Sequence, residues 1–136
     1  MELSMKLQMP AYPNMFIICV VRAHVLAGVT LRYRASLQKI EPQSVLVEGE
    51  FFVADARQHQ LLNSSINSEW SNAQQLCLSS VVGGDVATLT FGVMNPYRKH
   101  CGEYRCVVES DTHQLLGNSS FFVRSFPFCM ECYSLS

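Results

Sequence analysis

Tyr104-Arg105-Cys106-Val107-Val108 constrains the fold of this chain more than any other segment. Side chains alternate between faces along a strand, so Tyr104, Cys106 and Val108 share one face, and Arg105 and Val107 the other. A phenol, a thiol and an aliphatic side chain together need a core beneath them. The same period of two recurs in Phe51–Arg57, where Phe52, Ala54 and Ala56 oppose Phe51, Val53 and Asp55. It recurs in Val86–Phe91, where Ala87, Leu89 and Phe91 alternate with Thr88 and Thr90, and in Ser119–Arg124, with Phe121 and Val123 inward. Short alternating segments divided by turn residues predict an all-β antiparallel sandwich.

The remaining segments complete that reading. Ala35–Ile40 and Ser44–Val47 are expected strands, followed by a turn at Glu48-Gly49-Glu50. Residues 58–67 are polar and turn-like, Ser68–Ser71 forms a strand that places Trp70 in the core, and 72–76 leads into a short edge strand. Gly83-Gly84-Asp85 is a turn and Asp111–Asn118 a hairpin connection. The expected domain therefore covers residues 34–124, with a C-terminal tail at 125–136. Residues 1–33 are set apart as a leader, either irregular or a weak secretory signal. Its apolar run Met15–Val21 would be the signal's hydrophobic region, with cleavage after Ala27.

A chain of 136 residues allows one domain of ordinary size. Hydrophobic residues at 49% against charged ones at 15% favour a folded core over disorder. A formal charge of −1 gives no electrostatic footprint for nucleic acid. No apolar run reaches the ~20 residues of a membrane helix, so no transmembrane segment is expected. Arg98-Lys99-His100, the densest basic cluster, reads as a solvated turn.

Three segments together resemble the I-set immunoglobulin domains. Lys39–Val45 with Val47-Glu48-Gly49-Glu50 is similar to their opening strands, and Trp70 stands where the core tryptophan of strand C belongs. Gly84–Phe91 followed by Gly102–Val108 is similar to strands E and F. The wording is closest to the modules of titin- and obscurin-like muscle and cytoskeletal proteins. The resemblance implies an immunoglobulin-like sandwich with a shortened C′–D region, because Trp70 and Leu89 lie close in sequence. It also implies a structural core of Trp70, Leu89, Tyr104, Cys106 and Ala56, with the Tyr104 hydroxyl tied back to upstream backbone. Counted from Glu48-Gly49-Glu50, the strand-B cysteine of the family falls on Ala56. Cys106 is then left as a lone thiol, a state suited to a reducing cytosol.

On these grounds the expected function is a non-enzymatic module that binds protein partners or bears structure, cytoplasmic and cytoskeletal or sarcomeric. The rival reading is a secreted or cell-surface adhesion or receptor module. There, Asn63-Ser64-Ser65 and Asn118-Ser119-Ser120 would be N-glycosylation acceptors at Asn63 and Asn118. No catalytic residue, cofactor site, metal site or small-molecule substrate is expected. His24, His59, His100 and His113 lie in leader or loop segments away from any recognisable nucleophile. His100 and Cys101, adjacent on extended chain, would point to opposite faces. The Cys129–Cys132 pair lacks the second ligand pair that a zinc site needs.

Overall fold

The computed structural model describes residues 1–9, 14–54, 58–67, 75–96 and 98–124, with backbone alone at 75–78 and 98. Among them run β1 (Glu2–Gln8), β2 (Met15–Arg22), β3 (Leu31–Lys39), β4 (Ser44–Ala54), β5 (Gln58–Ile66), β6 (Gln75–Gly83), β7 (Val86–Val93), β8 (Gly102–Ser110) and β9 (Leu115–Val123). A 3-10 turn, Arg98–His100, precedes β8. The strands form two sheets, one of four in the order β1-β2-β7-β6 and one of five in the order β5-β4-β3-β8-β9. Every pairing is antiparallel. The all-β sandwich expected from the alternation is therefore what forms.

The residues expected to form a leader instead build β1, β2 and the start of β3. In β2, Met15, Ile17, Cys19 and Val21 are fully buried, whereas Phe16, Ile18 and Val20 are half-buried on the outer face. β1 and β7 flank β2 on its two sides. Such a central strand reads as a continuous apolar run, which periodicity alone does not separate from other apolar segments.

The bond that closes the core corrects a second expectation. Cys106 is not a lone thiol: it is bonded to Cys19 of the opposite sheet, 87 residues away in sequence. Ala56, which the family pattern pointed to, lies outside the described residues, as does Trp70. Around the bridge pack Leu37, directly opposite Cys106 on β3, and Leu89, directly opposite Cys19 on β7. Both are fully buried, and so is Tyr104.

The middle of the chain is not shortened. β5 occupies the stretch expected to be turn-like, and β6 spans nine residues. Nor does Glu48-Gly49-Glu50 turn the chain, because β4 runs through it. Gly49 serves packing there: a Cβ on it would lie 2.6 Å from the Phe51 ring and 3.1 Å from Ser80 Oγ of the other sheet. A bulge between Leu37 and Gln38 leaves Leu46 without a cross-strand partner, and Leu46 and Val47 are buried in succession.

The corner before β8 forms as the motif predicts. The Tyr104 hydroxyl donates to the His100 carbonyl at 2.8 Å. Lys39, 1% exposed, places Nζ 5.5 Å from the centre of the Tyr104 ring and donates to the Glu41 carbonyl. A buried ammonium is tolerated only with such partners. Gly102 at φ 112° keeps clear of it, since a Cβ there would come within 2.9 Å of Lys39 Nζ.

Candidate binding surface

The register of β3 places its early residues beside the ends of β4 and β8: Leu31 faces Val53, and Tyr33 faces Ser110. Ala54 in turn faces Gln58 at the start of β5. The adjoining ends of β4 and β5, the connection 23–30 and the hairpin 111–114 therefore gather at one end of the sandwich. The last is held by its own polar groups. The Ser110 backbone N–H donates to the Gln114 carbonyl at 2.8 Å and the His113 N–H to the Ser110 carbonyl at 3.0 Å. Ser110 Oγ accepts from the N–H groups of Thr112 and Gln114, and His113 sits at φ 67°.

From this end a ladder of charge runs down the outer face of the five-stranded sheet. Because outward positions recur every second residue, Arg32 and Arg34 of β3 stand beside Glu48 and Glu50 of β4. Arg32 Nε donates to Glu50 Oε1 at 2.9 Å, and its Nη2 lies 2.9 Å from the same oxygen. Arg34 Nε lies 3.4 Å from Glu48, and Arg105 of β8 lies 3.2 Å from Glu103. Exposed pairs of this kind contribute about 0.2–1 kcal/mol each. The ladder is therefore not what holds the sheets together, and its charges remain within reach of a partner.

Two shallow hollows lie along the ladder. The larger, about 240 Å³, is lined by Arg32, Arg34, Glu50, Ser110, Asp111 and His113. The smaller, about 40 Å³, shares Arg34 and Glu50 and extends to Asn63, Ser64 and Ser65 on β5. Together they form a polar groove from the β8–β9 hairpin towards the β5 edge, suited to charged and hydrogen-bonding groups of either sign. The sequence carried a signal for it that went unread. Arg32-Tyr33-Arg34 and Glu48-Gly49-Glu50 are same-charge pairs two residues apart, which neighbouring strands bring into register.

The other residues singled out in the sequence lie elsewhere. Asn63 and Asn118 are exposed, on β5 and β9. His24 reaches Asp85 at 2.8 Å at the exposed turn between β6 and β7. His59 is a buried strand residue, its Nε2 2.7 Å from the Tyr33 hydroxyl, and burial pushes the Tyr33 phenol well above its ordinary range. His100 is buried at the corner, and Cys101 beside it is half-buried. Among the described residues no group of three or more His, Cys, Asp or Glu is placed to hold a metal ion, and no helix is long and apolar enough to cross a membrane. Cys129 and Cys132 lie outside the described residues. Compared with protein-family models and with curated proteins, the chain matches none.

Proposed function

We propose that this protein is an immunoglobulin-like, non-enzymatic recognition module that works in an oxidising, extracellular-type environment and binds a protein partner. The observation that carries the reading is the Cys19–Cys106 bond between the two sheets. It replaces the lone thiol on which a cytoplasmic, muscle-type role rested, and buried bridges of this kind persist where thiols are not kept reduced. The strand order supports the family likeness. A sheet β1-β2-β7-β6 facing β5-β4-β3-β8-β9 has the same order as the variable-type immunoglobulin sandwich, with its bridge between the second strand and the strand after the tyrosine corner. In that arrangement the loops 23–30 and 111–114 correspond to recognition loops at one end. The Arg32–Glu50 groove beside them is the surface we assign to partner contact.

The reading is tested in cells that make the chain naturally, by alkylating thiols before lysis and mapping cysteines by mass spectrometry. A Cys19–Cys106 bond in protein protected from a cytosolic alkylating reagent is expected. Folded protein with both cysteines alkylated from the cytosol would overturn it.

A further inference from the structure

We propose that the five-stranded sheet carries two N-linked glycans, on Asn63 at the β5 end of the polar groove and on Asn118 at the opposite edge of the sheet; this rests on the extracellular reading above. The two acceptor triplets are far apart in sequence, yet the fold sets them on the two edge strands of one sheet, β5 and β9. Parity puts both asparagines on its outer face. Asn63 is opposite Glu50, whose neighbours Gly49 and Phe51 are buried. Asn118 is opposite Val107, between the inward Cys106 and Val108. In an extended strand the serine two residues on shares the face of the asparagine, so Ser65 and Ser120 also point outward, and both are exposed.

The register fixes their spacing. Asn63 is level with Glu50, Arg34 and Glu109, while Asn118 is level with Val107, Ser36 and Glu48. Four inter-strand steps of a sheet put the two asparagines about 19 Å apart across it, and two residues of stagger add about 7 Å along it. Between them lies the Arg34–Glu48–Glu50 part of the ladder. Glycans there need no rearrangement of the core, hold water over the outer face of the two edge strands, and leave the charged strip open between them. Edge strands are the ones that need protection from unwanted pairing.

In the attachment, Asn Nδ2 bonds to the anomeric carbon of a lipid-diphosphate-linked oligosaccharide. The anomeric C–O bond breaks, the lipid diphosphate leaves with the electron pair, and the amide loses one proton to the transferring enzyme's base.

The full chain, directed into the secretory pathway of a mammalian cell by an appended cleavable signal, is collected from the medium. It is treated with peptide N-glycosidase in heavy-oxygen water and mapped by mass spectrometry. Conversion of both Asn63 and Asn118 to labelled Asp is expected, with Asn63→Gln and Asn118→Gln each removing one glycan from the intact mass and the double substitution removing both. Because both side chains face solvent, the substitutions should leave the denaturation midpoint unchanged, which separates a lost site from a lost fold. Secreted, Cys19–Cys106-bonded protein with either asparagine unmodified would overturn the proposal. Failure of the extracellular reading shows differently, as cytosol-alkylated cysteines in the native cells whatever the signal-directed protein carries.

Discussion

Removing the inter-sheet bridge is the perturbation whose consequence can be worked out most fully. The bond joins residues 87 apart in sequence, and closing a loop of that size lowers the entropy of the unfolded chain enough to stabilise the native state by about 4.6 kcal/mol. Both cysteines are fully buried, so Cys19→Ala/Cys106→Ala also loses two sulfur atoms' worth of packing, about 1 kcal/mol each. The sum is about 6.6 kcal/mol, comparable to the whole stability of many domains at about 5–15 kcal/mol. Urea denaturation followed by far-ultraviolet circular dichroism would compare three species: oxidised, reduced and double-alanine protein. Oxidised minus reduced isolates the cross-link, because the sulfur volume is kept, and reduced minus alanine isolates the packing. Free energies rather than midpoints must be compared, since an uncrosslinked denatured chain is more expanded and has a steeper denaturant slope. A cross-link contribution below about 1.5 kcal/mol would refute the entropic reasoning, and mass mapping that put Cys106 in a bond with any cysteine other than Cys19 would refute the pairing.

Three further outcomes follow from the packing and the charges. Tyr104→Phe removes the donor to the His100 carbonyl and should cost about 1–2 kcal/mol in denaturation while the sandwich stays folded; an unchanged stability would mean that the corner is held by packing alone. Gly49→Ala forces a methyl against the Phe51 ring at 2.6 Å and should cost about 1–3 kcal/mol, read from the same curves; a neutral result would show that Phe51 has room to turn away. Asp85 is held below its ordinary 3.8, first by the hydrogen bond from His24 and further by Arg22. Its contribution to stability is therefore complete above the unfolded value and fades as pH falls below 3.8 towards the folded one. Asp85→Asn should flatten that part of a melting-temperature profile recorded between about pH 2 and 6, and a profile identical to that of the unsubstituted protein would refute the linkage.

How much of this was legible in the sequence depended on where each strand sits. β7 and β8 could be read residue by residue, because each has one face on the core and the other turned outward. The corner hydrogen bond was legible only through the resemblance to immunoglobulin domains, since alternation turns Tyr104 inward without saying which backbone group its hydroxyl meets. β5 could not be read: it is an edge strand in which every residue except His59 is exposed, so it leaves no burial pattern to find. β2 fails in the opposite way, with apolar side chains on both faces and neighbours on both sides. The groove needed two strands in register, and one of them, β3, begins inside the stretch set aside as a leader.

These differences between sequence and structure share one cause. With Met15–Val21 set outside the domain, the family's strand B is counted from Glu48-Gly49-Glu50 and falls in Phe51–Arg57, which the structure shows running in β4 as far as Ala54. That shift carried the expected cysteine position from Cys19 to Ala56, where there is no sulfur. Cys106 is then left without a partner in the family pattern, a state suited to a reducing compartment. Six cysteines admit many pairings that spacing alone does not resolve, so the inference about compartment was only as sound as the strand assignment beneath it. Burial corrects that assignment. Cys19 is inward on a central strand with Leu89 beside it, and Cys106 is inward on the facing sheet with Leu37 beside it. Two thiols so placed meet across one core, and the oxidising environment proposed for that bond is the ground on which the glycans at Asn63 and Asn118 become testable.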